Sequence, residues 1–187
     1  EQSEAPPGVL APADAASAFA AAWSRRTGDA SRLTTALCTH KLTQVVHPTG
    51  VPGHLRLASS SEFDLLVRWY DEFGRTVGHP PEDSAAAVQR LLEHDALFVW
   101  DHDGPRCMTS RGSSTGEGTR VCHVYTPPEF RRRGYASALV AALSQRLLDG
   151  GARFCFLFTD LANPTSNHIY RVIGYEPVCD FALYRFG

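Results

Sequence analysis

The chain has 187 residues, enough for one full domain and an added segment but short for two domains. Its 43% hydrophobic and 20% charged residues exclude a disordered chain. A formal net charge of −2 argues against a dedicated nucleic-acid binder, so any basic site must be local. The five cysteines, Cys38, Cys107, Cys122, Cys155 and Cys179, have no C-x-x-C spacing. They argue against a disulfide scaffold or a structural zinc site and fit small buried thiols in a reducing cytoplasm. No i, i+4 pairing occurs among the histidines, so no metal centre is expected. No apolar run approaches the roughly 18 residues that span a membrane, and the chain opens on Glu1 without a signal-peptide pattern.

In chain order, residues 1–12 read as a loose start rich in Pro, Ala and acidic residues. A helix is predicted over 13–28, with Asp14 as a cap, Phe19 and Trp23 one turn apart, and Gly28 as its end. Residues 32–46 read as a strand; their Thr, His, Lys and Gln suit an edge position. The stretch "HPTGVPG" (47–53) is the clearest linker. It divides the chain into a helix-strand extension, 1–53, and a main domain, 54–187.

Within that domain a short strand, 55–59, precedes a helix, 62–74, opened by Ser61 and Asp64 in the manner of a capping box. A second helix follows at 81–95, with Pro81 suited to its first turn. Strands 96–101 and 105–112 flank an Asp103-Gly104 hairpin turn, and "SSTGEG" forms a loop before the strand 119–126. The remainder reads as a helix at 136–151, a buried strand at 153–160, a short helix at 164–174 and an extended end. This order implies an α/β protein with a mixed sheet flanked by helices.

The stretch "PPEFRRRGYASALV" (127–140) joins a strand to a helix through a loop that ends in Gly134. Backbone N–H groups at such a helix N-terminus converge on an anion. Gly134 and Ala136 keep the backbone approachable, and Leu139, Val140, Leu143 and Leu147 form the stripe that docks the helix. The geometry suits a pyrophosphate, and the arginines add positive charge at its mouth; an exposed basic turn is the plainer alternative.

Arg131, Gly134 and Ala136, in R-x-x-G-x-A, together with Asn163, Tyr170 and Gly174-Tyr175, resemble two linked motifs of the GNAT superfamily of N-acetyltransferases. The resemblance covers about residues 54–187. It implies the acyl-CoA N-acyltransferase fold and acetyl-CoA as cosubstrate, with no metal. It further implies that the main chain of Val124, Tyr125 and Thr126 pairs with the pantetheine arm. The amides of Arg131, Arg132, Arg133, Gly134, Tyr135, Ala136 and Ser137 would then bind the pyrophosphate, and Asn163 would bond the cofactor near the pantetheine. Tyr170 would protonate the leaving thiolate. Without the motif pair, Asn163 before Pro164 reads as a helix cap and Tyr170 as a core residue.

The general base stays open among His123, Asp71, Glu72, His79 and a water. The extension resembles the tail of a degenerate N-terminal lobe, as in tandem-lobe members. It is expected to pack on the domain or exchange with a second copy, which makes a homodimer an expected state. The leading expectation is direct acetyl transfer to a primary amine of an unidentified acceptor, by a cytoplasmic enzyme that uses neither nucleic acid nor membrane. The alternatives are a catalytically silent CoA-binding sensor or scaffold, and a nucleic-acid binder using Arg131–Arg133.

Overall fold

The computed structural model describes residues 6–78 and 81–187. Its centre is an eight-stranded sheet in the order β1-β8-β2-β7-β6-β5-β4-β3. The strands are β1 (Gly8–Pro12), β2 (Ser31–Leu42), β3 (His54–Leu57), β4 (Leu97–Asp101), β5 (Pro105–Thr115), β6 (Gly118–Tyr125), β7 (Phe154–Asp160) and β8 (Glu176–Phe186). The helices are α1 (Ala13–Thr27), α2 (Phe63–Thr76), α3 (Ser84–Glu93), α4 (Tyr135–Asp149) and α5 (Pro164–Val172). Neighbouring strands run antiparallel except β6 and β7. A mixed α/β architecture is thus what the sequence predicts.

Side-chain alternation sorts the sheet into two faces. Cys155 and Leu157 of β7 join Leu42 of β2 and the apolar stripe of α4 in one buried cluster, which Tyr170, Ile173 and Tyr175 complete. On the opposite face, α2 and α3 cover β4–β6 through Leu66, Trp69, Val88, Leu97, Val99, Met108 and Tyr125. Phe154, Phe156 and Phe158 of β7 point to that second face and are only half-buried. They form a ladder with Phe181 of β8, at ring-centroid distances of 6.3, 6.4 and 5.2 Å along the row.

Several local expectations change for physical reasons. The loose start contains β1, which pairs with β8 from Gly8 to Pro12. Strand β2 is not at an edge: β7 pairs with it on one side and β8 on the other. Its polar residues, Thr39 and Lys41, lie opposite Phe158 and Phe156 on the part of the second face beyond α2 and α3, while Cys38, His40 and Leu42 are buried on the other. The polar half of β2 therefore answers to a half-open face rather than to a missing neighbour.

Asp14 does not cap α1, whose cap residue is Pro12 without a side-chain bond, whereas Gly28 ends it in the left-handed region as predicted. The capping box before α2 is Ser59 with Glu62 rather than Ser61 with Asp64. Asp83 caps α3 through Ala86 N–H, so that helix starts later than Pro81. Strand β5 continues to Thr115, so the Gly/Ser loop shrinks to a tight turn around Gly116. Trp23 stacks on Phe186 at 5.5 Å and docks α1 on β8, whereas Phe19, against Trp23 at 6.2 Å, remains 45% exposed. Cys38, Cys107 and Cys155 are buried, but Cys179 is exposed.

Candidate acyl-transfer site

The loop after β6 begins with a single turn over Pro128–Phe130, pinned when Arg131 Nε donates to Thr126 O at 3.0 Å. Arg132 then takes a positive φ of 63°, and Gly134 follows at 80° as the residue before α4. These two left-handed steps lead the backbone into α4. Among the described residues, the Arg131 amide, expected to belong to the row, instead donates to Pro128 O at 3.3 Å and closes the single turn, whereas the amides from Arg132 to Ser137 find no protein acceptor; the next satisfied amide is that of Ala138, bonded to Gly134 O at 3.0 Å. Unpaired N–H groups at a helix N-terminus are the elementary form of an anion site. Arg131, Arg132 and Arg133 are exposed around it.

Glycine is required at 134 by its φ and also by a close neighbour: a Cβ there would lie 2.8 Å from Val51 Cγ2. The space beside Gly134 is therefore filled by the 47–53 linker. Sequence reasoning treated that linker as a spacer, but it braces the loop. Trp100 Nε1 donates to Pro52 O at 2.8 Å, and a Cβ on Gly53 would strike Trp100. Tyr135 is turned inward, its hydroxyl hydrogen-bonded to His102 Nδ1 at 2.8 Å. Ala136 and Ser137 are half-buried at the mouth.

Strands β6 and β7 pair only at Gly118–Phe154, Thr119–Cys155 and Arg120–Phe156. Beyond Arg120 they diverge, which leaves the β7-facing edge of Val124 and Tyr125 open. A bulge against β5 with His123 at φ 51° sharpens the divergence. The open edge leads through Thr126 and the turn at Pro128–Phe130 to the amide cluster, so an extended ligand with a terminal anion could lie along both.

Tyr170 of α5 is buried against Tyr175, edge to face at 5.9 Å. Burial, with some help from the nearby Cys122 thiol, raises the Tyr170 hydroxyl above the ordinary phenol value, so it keeps its proton at neutral pH. No described protein group bonds this hydroxyl. Asn163 is exposed, and its Oδ1 accepts from Ser166 N–H at 3.1 Å, so that oxygen caps α5.

On the α2 side, Tyr125 OH donates to Glu72 Oε2 at 2.6 Å. Burial, then this carboxylate, pushes the Tyr125 hydroxyl up to about 12. His123 hydrogen-bonds Tyr70 OH through Nε2 at 3.0 Å and Ser110 Oγ through Nδ1 at 2.7 Å. Burial pulls it down to about 4, with a smaller contribution from Arg120, so it is neutral at pH 7. Asp71 is occupied by Ser84 Oγ and by Arg75 at 3.9 Å. His79 lies outside the described residues. The partners Tyr70 and Ser110 had no signal in the sequence, because only the bulge turns His123 toward them.

Residues 112–184 match the FR47-like protein family. No curated protein matches the chain. Among solved structures, a Drosophila protein shares the fold with a TM-score of 0.73 at 15% identity, over 100% of this chain and 63% of its own. A GCN5-related N-acetyltransferase from Sphaerobacter thermophilus gives 0.71 at 17% identity, over 95% of this chain and 59% of its own. An acetyltransferase of the GNAT family from Colwellia psychrerythraea gives 0.66 at 13% identity, over 96% and 64%. This chain therefore spans less than two thirds of the length of each of these three.

Proposed function

The chain has the fold of the GNAT superfamily, and on that premise we propose that it transfers an acetyl group from acetyl-CoA directly to a primary amine. The observation that carries this reading is the row of unpaired amides from Arg132 to Ser137, continuous with the open edge of β6. The pyrophosphate is held by those amides and the dipole of α4. The pantetheine arm lies along Val124, Tyr125 and Thr126 as an added strand. The amine nitrogen attacks the thioester carbonyl, the C–S bond breaks, and Tyr170 gives its proton to the leaving thiolate. Glu72 takes the amine proton, directly or through water. Its Oε1 has no described protein partner, whereas both nitrogens of His123 and both oxygens of Asp71 are engaged. Asn163 keeps its amide NH2 for the cofactor while its oxygen serves the helix.

A substitution at Gly134 would collide with Val51, so the cleaner test is Ala136→Asp. An aspartate in the first turn is compatible with α4, but its carboxylate competes for the amides and repels a pyrophosphate. Calorimetry with CoA is expected to show binding to the wild-type chain and a loss of about 100-fold or more in the variant, the scale of several charge-assisted hydrogen bonds. Undiminished affinity in a variant that still melts cooperatively would refute the assignment of the loop.

A further inference from the structure

The strands β6 and β7 separate at Arg120, the last residue of β6 to pair with β7. Its register partner is Phe156, yet its guanidinium carbon lies 4.8 Å from the ring centroid of Phe158, two residues further along β7. Because the strands are parallel, the side chain leans toward their C-terminal ends, into the gap where they diverge. It does so on the face that carries α2, Glu72 and the Tyr70–His123–Ser110 chain.

Among the described residues this arginine has no counter-ion. Among the described residues no carboxylate lies within 4.0 Å of it and no hydrogen bond uses its guanidinium, although its Nε is buried without an acceptor. Other arginines in comparable settings are satisfied: Arg56 holds both Glu62 and Asp101, and Arg106 donates to His102 O. A half-buried cation left unpaired costs free energy unless something else meets it. The ring of Phe158 covers one face of the guanidinium plane and orients it, which leaves the terminal nitrogens for a planar anion. Beside it the floor is apolar, formed by Phe156 and Phe158. Its charge is felt at the site, since it lowers the pKa of His123 after burial has done so, and offsets part of the rise that burial causes at Cys122.

We propose that Arg120 binds a carboxylate of the acceptor, so that the amine substrate is an amino-acid-like molecule whose carboxylate rests on Arg120 and whose side chain lies over Phe156 and Phe158. The assignment rests on the acyl-transfer reading above and narrows its substrate class. The carboxylate would sit on the guanidinium edge while the amine faces the open strand edge next to Glu72. Arg120 thus positions and selects the acceptor without taking part in bond making.

The test compares matched amines in which a carboxamide replaces the carboxylate: glycine with glycinamide, leucine with leucinamide, and phenylalanine with phenylalaninamide. Release of the CoA thiol from acetyl-CoA gives kcat/KM for each. A charge-assisted contact of this kind predicts that the wild-type chain prefers the acid in at least one pair by about 10- to 100-fold. Arg120→Met should erase that ratio, chiefly through KM, and Arg120→Lys should restore part of it. An arginine that only packs against Phe158 would leave the ratio unchanged. Calorimetry with CoA, run on the wild type and on Arg120→Met, separates the layers. If CoA binds and the amides are used as well as the acids in every pair, or Arg120→Met keeps the preference, the Arg120 assignment falls alone. If the wild-type chain does not bind CoA, both readings fall.

Discussion

Deleting residues 1–46 is expected to leave a chain with no cooperative unfolding transition. The reason is the place of β2 in the sheet. Its backbone pairs with β7 from Leu37 to Leu42 and with β8 from Ser31 to Lys41. Its removal strands β8 from the rest of the sheet, because among the described residues no other strand joins β8 to β7. It also strips Leu42, which is 1% exposed, from the cluster that contains α4, Tyr170 and Tyr175. Because the deletion also removes β1, β8 is left with two freshly exposed edges and β7 with one; such edges with a phenylalanine ladder beside them are a template for aggregation. A milder probe uses Leu42→Ala, for which a fully buried site predicts a loss of about 2–5 kcal/mol. For a chain of this size that corresponds to a fall in Tm of roughly 4–20 °C. A deleted chain that melts cooperatively at an unchanged temperature would overturn this account. Because β2 pairs within its own chain, completing the sheet does not call for exchange with a second copy.

Tyr170→Phe should lower kcat by about 10²–10⁴-fold, the usual worth of a general acid, while CoA affinity and Tm stay near the wild-type values. The substitution removes a hydroxyl that no described protein group bonds and keeps the ring packed edge-on against Tyr175. Packing is therefore preserved, and the loss reports chemistry. The pH dependence adds a check. Burial raises the Tyr170 pKa, so the proton a general acid would donate is present throughout the neutral range and is lost only well into alkaline solution. The wild-type profile should thus show no Tyr170 limb below about pH 10, the ordinary phenol value. A rate unchanged in Tyr170→Phe would mean that water or another group protonates the thiolate.

Much of the fold was legible because each signal is local. The glycines at 28 and 134, the apolar stripe of α4 and the Asp103-Gly104 turn each follow from the conformations their own residues prefer. The motif residues Arg131, Gly134 and Ala136 likewise announced a strand-loop-helix turn within one short stretch. The alternation of β2, by contrast, was read as an edge strand and belongs to an interior one. Alternation reports how many faces of a strand are covered, not how many neighbours pair with it, and His40 and Lys41 differ only in the face they occupy.

The sequence by itself determined most of the elements, β1 excepted, the glycine-ended turn before α4 and the residues of the Asn163/Tyr170 helix, because periodicity, glycine and capping act over a few residues. Only the tertiary structure decided that an N-terminal strand separates β7 from β8, that Val51 fills the space beside Gly134, and that Arg120, among the described residues, stands without a counter-ion where β6 and β7 part. Each of these joins segments far apart in the chain. Such pairings are set by which buried surfaces and unpaired backbones satisfy one another in three dimensions, and no spacing along the chain encodes them.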